Sequence, residues 1–199
     1  MRIGRLIARA IIGATFVGHG TQKWFGWFGG PGLEGAAGMM DSLGLKPPKR
    51  HATLASVTET VGGAMLVLGA LTPVAATGLI ATMITAIRTV HLPNGFWSSN
   101  GGYELNLALI AALLGLVDGG PGDLSVDEIL GLDETGGATA LTALAVGAAG
   151  STVVMELARR RTQSDQQAAT PEAGQVPQEA PRRSQEAAQV TGTPGPVAT

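Results

Sequence analysis

The chain of 199 residues contains no cysteine. That excludes disulfides, thiol redox chemistry, cysteine-ligated zinc and iron–sulfur clusters. Charge is scarce as well. Only 14% of residues are Asp, Glu, Lys or Arg, against about 25% in an average soluble domain, so much of the chain does not face water. A net charge of −2 leaves no basic face of the kind a nucleic-acid binder carries. No period-two alternation points to a β-barrel. Neither G-x-x-x-x-G-K-[ST] nor a strand-led G-x-G-x-x-G occurs, so the glycine pairs at 29–30, 101–102 and 119–120 read as turns. The histidines at 19, 51 and 91 lack a spacing such as H-E-x-x-H, and no metal site is expected. No elbow motif marks a nucleophilic serine.

What the chain does have is long apolar stretches. They run over 6–28, with His19 and Lys23 inside, then 52–71, 74–90, 105–117 and 138–155. A membrane span needs about 20 residues. The second and third stretches qualify alone, the first with its polar residues included, and the fourth and fifth less strongly. In lipid, every backbone polar group must be paired within the protein, so these stretches are read as helices. Small residues such as Gly13, Gly62 and Gly63 suit close helix–helix contact. The basic start at Arg2, Arg5 and Arg9 reads as an uncleaved first span, because the apolar run continues well past it.

The expected fold is all-α: a polytopic membrane four-helix bundle, an additional C-terminal helix and a disordered tail. Residues 1–132 form the transmembrane domain, 133–158 the extra apolar helix with the capacity for a fifth span, and 159–199 a polar tail. In the tail Gln, Ala, Pro, Thr, Glu and Ser dominate and aromatics vanish. The acidic segment around Asp118, Asp123, Asp127 and Glu128 reads as a solvated loop.

Helices that cross a membrane alternate in direction. The loops at 24–51 and 91–103 therefore lie on one side. Of three Trp, one Tyr and four Phe, only Phe16 falls outside those loops and the helix ends beside them. Trp and Tyr favour the membrane interface, so one face carries the aromatic belt. Ionisable residues follow. His19 and Lys23, four apart, share a helix face. His19 lies ~8 Å inside Trp24, and Glu59 lies ~10 Å in from Ala52, at 1.5 Å per residue. Arg88, His91 and Glu104 sit at the same end. A charge in the bilayer costs several kcal/mol unless it is paired or faces the bundle interior. Glu59 paired with Lys23 or Arg88 is the least costly solution at these depths.

These residues resemble a known family. Gly13, Phe16, His19, Gly20 and Lys23, followed by Phe25, Gly29 and Gly30, look like the opening of DoxX-type membrane proteins. Glu59, Gly62, Gly63, Leu68, Gly69, Leu71 and Thr72 match the family's second-span pattern. His91, Gly95, Phe96, Gly102 and Glu104 resemble its third loop, and Gly122, Ser125, Val126 and Asp127 the segment after the fourth span. The likeness covers about residues 1 to 132. It implies a four-helix integral protein of the bacterial inner membrane. Relatives bear oxidoreductase names, which do not fix an activity, and some are subunits of a thiosulfate:quinone oxidoreductase.

The expected function is a small redox-associated membrane component that binds a quinone or similar amphipathic molecule near one membrane face. Glu59 is the expected proton-exchanging or ligand-contacting group, with His19 beside it. Lys23 and Arg88 are its candidate charge partners, His91 a hydrogen-bond donor, and Glu104, Trp24 and Trp97 complete the lining. Burial raises a carboxylate pKa and lowers that of His, which suits both to proton delivery near neutrality. Without Cys or any haem or flavin motif the chain cannot carry electrons alone, so no covalent cofactor is expected and a redox partner protein is. The alternative is a non-enzymatic scaffold or assembly factor for a soluble redox partner. The other expected partners are the lipid bilayer and further copies of the chain, but not nucleic acid. Orientation is pulled both ways. Arg2, Arg5 and Arg9 favour a cytoplasmic N-terminus, whereas Lys46, Lys49, Arg50 and 159–161 favour the reverse if all five helices span.

Overall fold

The computed structural model describes residues 3–132 and 134–169. Among them the secondary structure is helical throughout, as the apolar stretches require. The major helices are α1 (Ile3–Phe25), α2 (Gly32–Ser42), α3 (Pro48–Leu68), α4 (Thr72–Ala86), α5 (Glu104–Gly119), α6 (Val126–Leu130) and α7 (Gly137–Ala169). α4 continues as a π-helical turn over Ile87–His91 and a 3₁₀ turn over Leu92–Asn94. The expected disordered tail begins inside α7, because the helix persists through residues 159–169. Residues 170–199, where the rest of that tail falls, lie outside the described residues, as do Arg2 and Asp133.

Local sequence sets the ends of the helices. Pro48 starts α3, where its missing N–H costs nothing. Gly69 ends it in a left-handed conformation at φ 63°, with the amides of Gly69 and Ala70 returning to Leu66 and Met65. Ser125 caps α6 by accepting the Glu128 amide at 3.1 Å. The segment 24–51 was expected to be a plain loop. It instead contains α2, whose Ala36, Ala37 and Met40 pack with Leu45, Ala52 and Ala158 in a small second core.

The main core joins Phe16 of α1, Leu66 of α3, Leu79 and Ile80 of α4, Leu113 and Val117 of α5, and Ala140 and Ala143 of α7. α1 and α3 are in backbone contact at Gly13 and Gly63. A methyl group on either glycine would come within 2.6 Å of the other's carbonyl oxygen. Backbone contact of this kind replaces the hydrophobic drive that is missing inside lipid.

The chain has two ends of opposite character. At the aromatic end lie the 24–51 and 91–103 segments. At the other end a buried latch closes the bundle. Arg9, 2% exposed, donates to the carbonyls of Pro121 and Leu124, and Arg5 donates to that of Gly119. Asp127, 1% exposed, accepts the amides of Leu71 and Thr72 at 2.6 and 2.9 Å. The expectation of a solvated acidic loop fails at Asp127, because the starting amides of α4 need an acceptor and Asp127 supplies it, while Asp118, Asp123 and Glu128 are exposed as expected.

α7 runs the full height of the bundle. It starts beside Asp118, whose carbonyl accepts the Gly136 amide. Ser151 then accepts a hydrogen bond from Thr85 at 2.9 Å, and Thr162 donates to Gly44 at 3.4 Å. Gly147 lets α7 pack directly on Ile80 and the Thr77 carbonyl of α4. Two helical stretches, Thr72–Asn94 and Gly137–Ala168, are long and apolar enough to cross a membrane. The fifth apolar stretch, the weaker one by sequence, is thus one of the two.

Candidate functional site

Gly62 and Gly63 lie one helical turn deeper on α3 than Glu59 and face α4 and α1, against Leu79 and Phe16. That shared face turns Glu59 into the bundle, where its side chain is only 4% exposed. Lys23 stands near the end of α1. Side chains of a helix lean toward its N-terminus, and Lys23 leans back into the protein. Its Nζ donates to Glu59 Oε2 at 2.5 Å and to the carbonyl of His19 at 3.3 Å. The Lys23 side chain is 20% exposed, so the pair has one accessible side and one buried side. Such a pair gains Coulomb energy but loses solvation, and breaking it strands a charge at greater cost than its formation gained.

The other expected site residues lie apart from this pair. His19 is exposed on α1 and contributes its backbone carbonyl. Arg88 is exposed in the π-helical turn and donates to Thr152 Oγ1 of α7 at 3.1 Å. Between the two candidate cations, Glu59 therefore takes Lys23. The physical reason is register. A π turn holds more residues than an α turn, and Arg88 reaches α7 from it. His91 Nδ1 donates to the Gly101 carbonyl at 2.7 Å, and Glu104 Oε2 accepts the Ser98 amide at 3.0 Å. Both thus brace the 91–103 loop. Trp24 stacks on Phe25 and Trp97 meets Phe96 edge-on, each at 5.0 Å between ring centroids. Trp97 is 62% exposed, as befits an interfacial ring.

Two further polar groups sit in the same half of the bundle with incomplete hydrogen bonding. Thr60 Oγ1 is buried with no partner. Asn106 of α5 is buried, and its Nδ2 donates to Met83 Sδ at 3.5 Å, a weak acceptor. Register places these groups near the height of Glu59. Leu79 abuts Gly62, while Met83 and Glu59 lie about one turn nearer the aromatic end on their helices. Asn106 could have been singled out from sequence, since it is a lone amide in a Leu- and Ala-rich helix. Nothing in the sequence distinguishes Thr60 from its many threonine neighbours. Among the described residues no group of three or more His, Asp or Glu is placed to hold a metal ion.

Comparisons with known proteins agree with this architecture. The family model described as DoxX matches residues 4–92, from the start of α1 through the π-helical turn after α4. An "Uncharacterized membrane protein Rv3486" of Mycobacterium tuberculosis is 31% identical over 132 residues, which is 61% of this chain and 78% of that protein. The "Putative oxidoreductase CatD" of Bacillus subtilis is 30% identical over 128 residues, 64% of this chain and 87% of that protein. No solved structure matches the chain. With a curated relative of this identity covered over more than two thirds of its length, and the family model on the first four major helices, the chain belongs to the DoxX family of membrane proteins.

Proposed function

We propose that this protein is a multi-pass component of the bacterial inner membrane whose Lys23–Glu59 pair anchors a site for a quinone or similar amphipathic molecule. The observation that carries this reading is the pair itself: a carboxylate buried in one bundle half, held by a single ammonium that stays partly exposed. An ionisable pair inside a membrane bundle is costly and marks a ligand or proton path by default. The partnerless Thr60 hydroxyl and the thioether-bound Asn106 amide add hydrogen-bonding capacity that the protein leaves unspent. A quinone presents two carbonyl acceptors and an apolar tail, so donors beside a lipid-facing bundle fit that class. The name of the Bacillus subtilis relative is in keeping with a redox setting.

In this reading Glu59 exchanges a proton with the bound molecule. Lys23 stabilises the carboxylate between exchanges, and its accessible side connects the pair to the interface. Electrons come from a partner protein, because the chain has neither cysteine nor a haem or flavin motif. The test is binding of decylubiquinone, and of a menaquinone analogue, to the full chain in nanodiscs, read by quenching of the Trp24 region. Glu59→Gln is expected to weaken binding about tenfold, the scale of one hydrogen bond to a charged group. Unchanged binding removes Glu59 from the site, and no binding to wild type removes the quinone.

A scaffold role has one observation in its favour. α7 has 33 residues, which is ~50 Å of helix against ~30 Å of hydrocarbon. Beside the second core it presents exposed Arg159 and Arg161, which offer a soluble partner a cationic docking surface. Capture of a redox protein by the full chain, lost on removing residues 163–199, favours that role.

A further inference from the structure

α3 has a second face that the Lys23–Glu59 pair does not use. At 100° per residue, Leu54, Val57 and Val61 fall within about 60° of one another, and Glu59 is about 140° away from Leu54. Leu54 is 52% exposed and Val61 47% exposed, so this stripe faces outward. Toward the aromatic end it opens into a recess of about 630 Å³ lined by Pro47, Lys49, Arg50, Thr53, Leu54 and Val57. The rim of the recess is cationic and its floor apolar. Lys49 Nζ is shared with Glu34 Oε1 of α2 at 2.5 Å. Arg50 is exposed and meets no carboxylate among the described residues. Two cations therefore face one carboxylate, and a guanidinium with its forked donors is left free.

We propose that this recess seats the headgroup of an anionic phospholipid. The phosphate lies on Arg50 and Lys49, and one acyl chain follows Leu54, Val57 and Val61 along α3. Three features select this occupant. The unbalanced positive charge favours an anion over a zwitterion such as phosphatidylcholine, whose choline group would meet the same cations. The guanidinium matches phosphate geometry. The outward stripe continues from the recess toward the bundle midplane, which suits an acyl chain but offers a free phosphate nothing. Basic recesses at the ends of membrane helices are the usual seats of anionic lipids. Because Glu59 faces the other way, occupancy of this recess is independent of the quinone site.

Native mass spectrometry of the full chain tests the proposal, with lipid retention measured after exposure to phosphatidylglycerol or to phosphatidylcholine. Phosphatidylglycerol is expected to be retained with a preference on the order of tenfold, as two cations at an anionic surface supply. Lys49→Gln with Arg50→Gln should abolish that preference, and Arg50→Lys should keep most of it. Glu34→Gln frees Lys49 and should raise retention, a gain that a misfolded variant would not give. No preference in wild type overturns the proposal, as does a preference that survives the double substitution. Displacement of the lipid by millimolar inorganic phosphate would also overturn it, by reducing the site to an anion pocket.

Discussion

The carboxylate of Asp127 accepts the backbone amide of Thr72 at 2.9 Å, bridging fifty-five positions of sequence. A second oxygen takes the amide of Leu71, which is held at a left-handed φ of 46°. A left-handed backbone is unfavourable for a branched side chain, so Asp127 both caps α4 and pins a strained turn. Asp127→Ala should lower the stability of the detergent-solubilised protein by about 2 kcal/mol or more, the scale of hydrogen bonds to a charged acceptor. Thermal unfolding reads this directly. Glu128→Gln, on the exposed side of α6, should leave the midpoint where it was.

Removing either member of the Lys23–Glu59 pair should destabilise the fold, but unequally. Lys23→Met strands a carboxylate that is 4% exposed, whereas Glu59→Gln strands an ammonium that is 20% exposed. Lys23→Met is therefore expected to be the worse of the two, at about 3 kcal/mol or more. Combining Lys23→Met with Glu59→Leu should recover much of that loss, because no charge is then left buried. A double-mutant cycle by unfolding measures the coupling. Equal single losses that simply add would contradict a buried pair.

Glycines on α1 divide into two groups. Gly13 meets the backbone of α3, while Gly4 and Gly18 have open space where a side chain would go. Gly13→Ala should cost about 1–3 kcal/mol through forced separation of α1 and α3. Gly4→Ala and Gly18→Ala should be neutral or mildly stabilising, since alanine favours helix more than glycine does. Circular dichroism melts of the three variants decide between these outcomes.

Topology follows from where the cations end up. Arg5 and Arg9 are bonded to loop carbonyls, but Lys46, Lys49, Arg50 and Arg159, Arg160 and Arg161 cluster at the aromatic end, where α7 also finishes. Positive residues in short segments favour the cytoplasm. The aromatic end is expected to be cytoplasmic and the start of α1 to face outward. A green fluorescent protein fused after Ala169 should then fluoresce, and alkaline phosphatase at the same point should be inactive.

The helical class was legible because lipid permits so few backbone arrangements, and long apolar stretches announce it. Five of the major helices could be placed from those stretches alone, and Glu59 stood out because a mid-helix carboxylate has little reach to water. α2 was not legible. Its apolar face is short and made largely of alanine, a pattern shared with a loop rich in glycine. The burial of Asp127 was misjudged, and that of Arg9 was not legible, for a related reason. At a helix end and in an acidic loop such residues are usually solvated, and their partners are backbone groups that carry no sequence signature.

Composition and hydropathy set the membrane-helical character of the chain, the scarcity of its charges and the half of the bundle that holds Lys23, Glu59, Arg88, His91 and Glu104. Those properties depend on residue type and spacing, which a linear string contains. The choice of Lys23 over Arg88 as partner to Glu59, the diversion of His91 and Glu104 to bracing a loop, and the burial of Asp127 depend on helix register and on which backbone amides face which side chain. Those relations exist only once helices distant in sequence have packed.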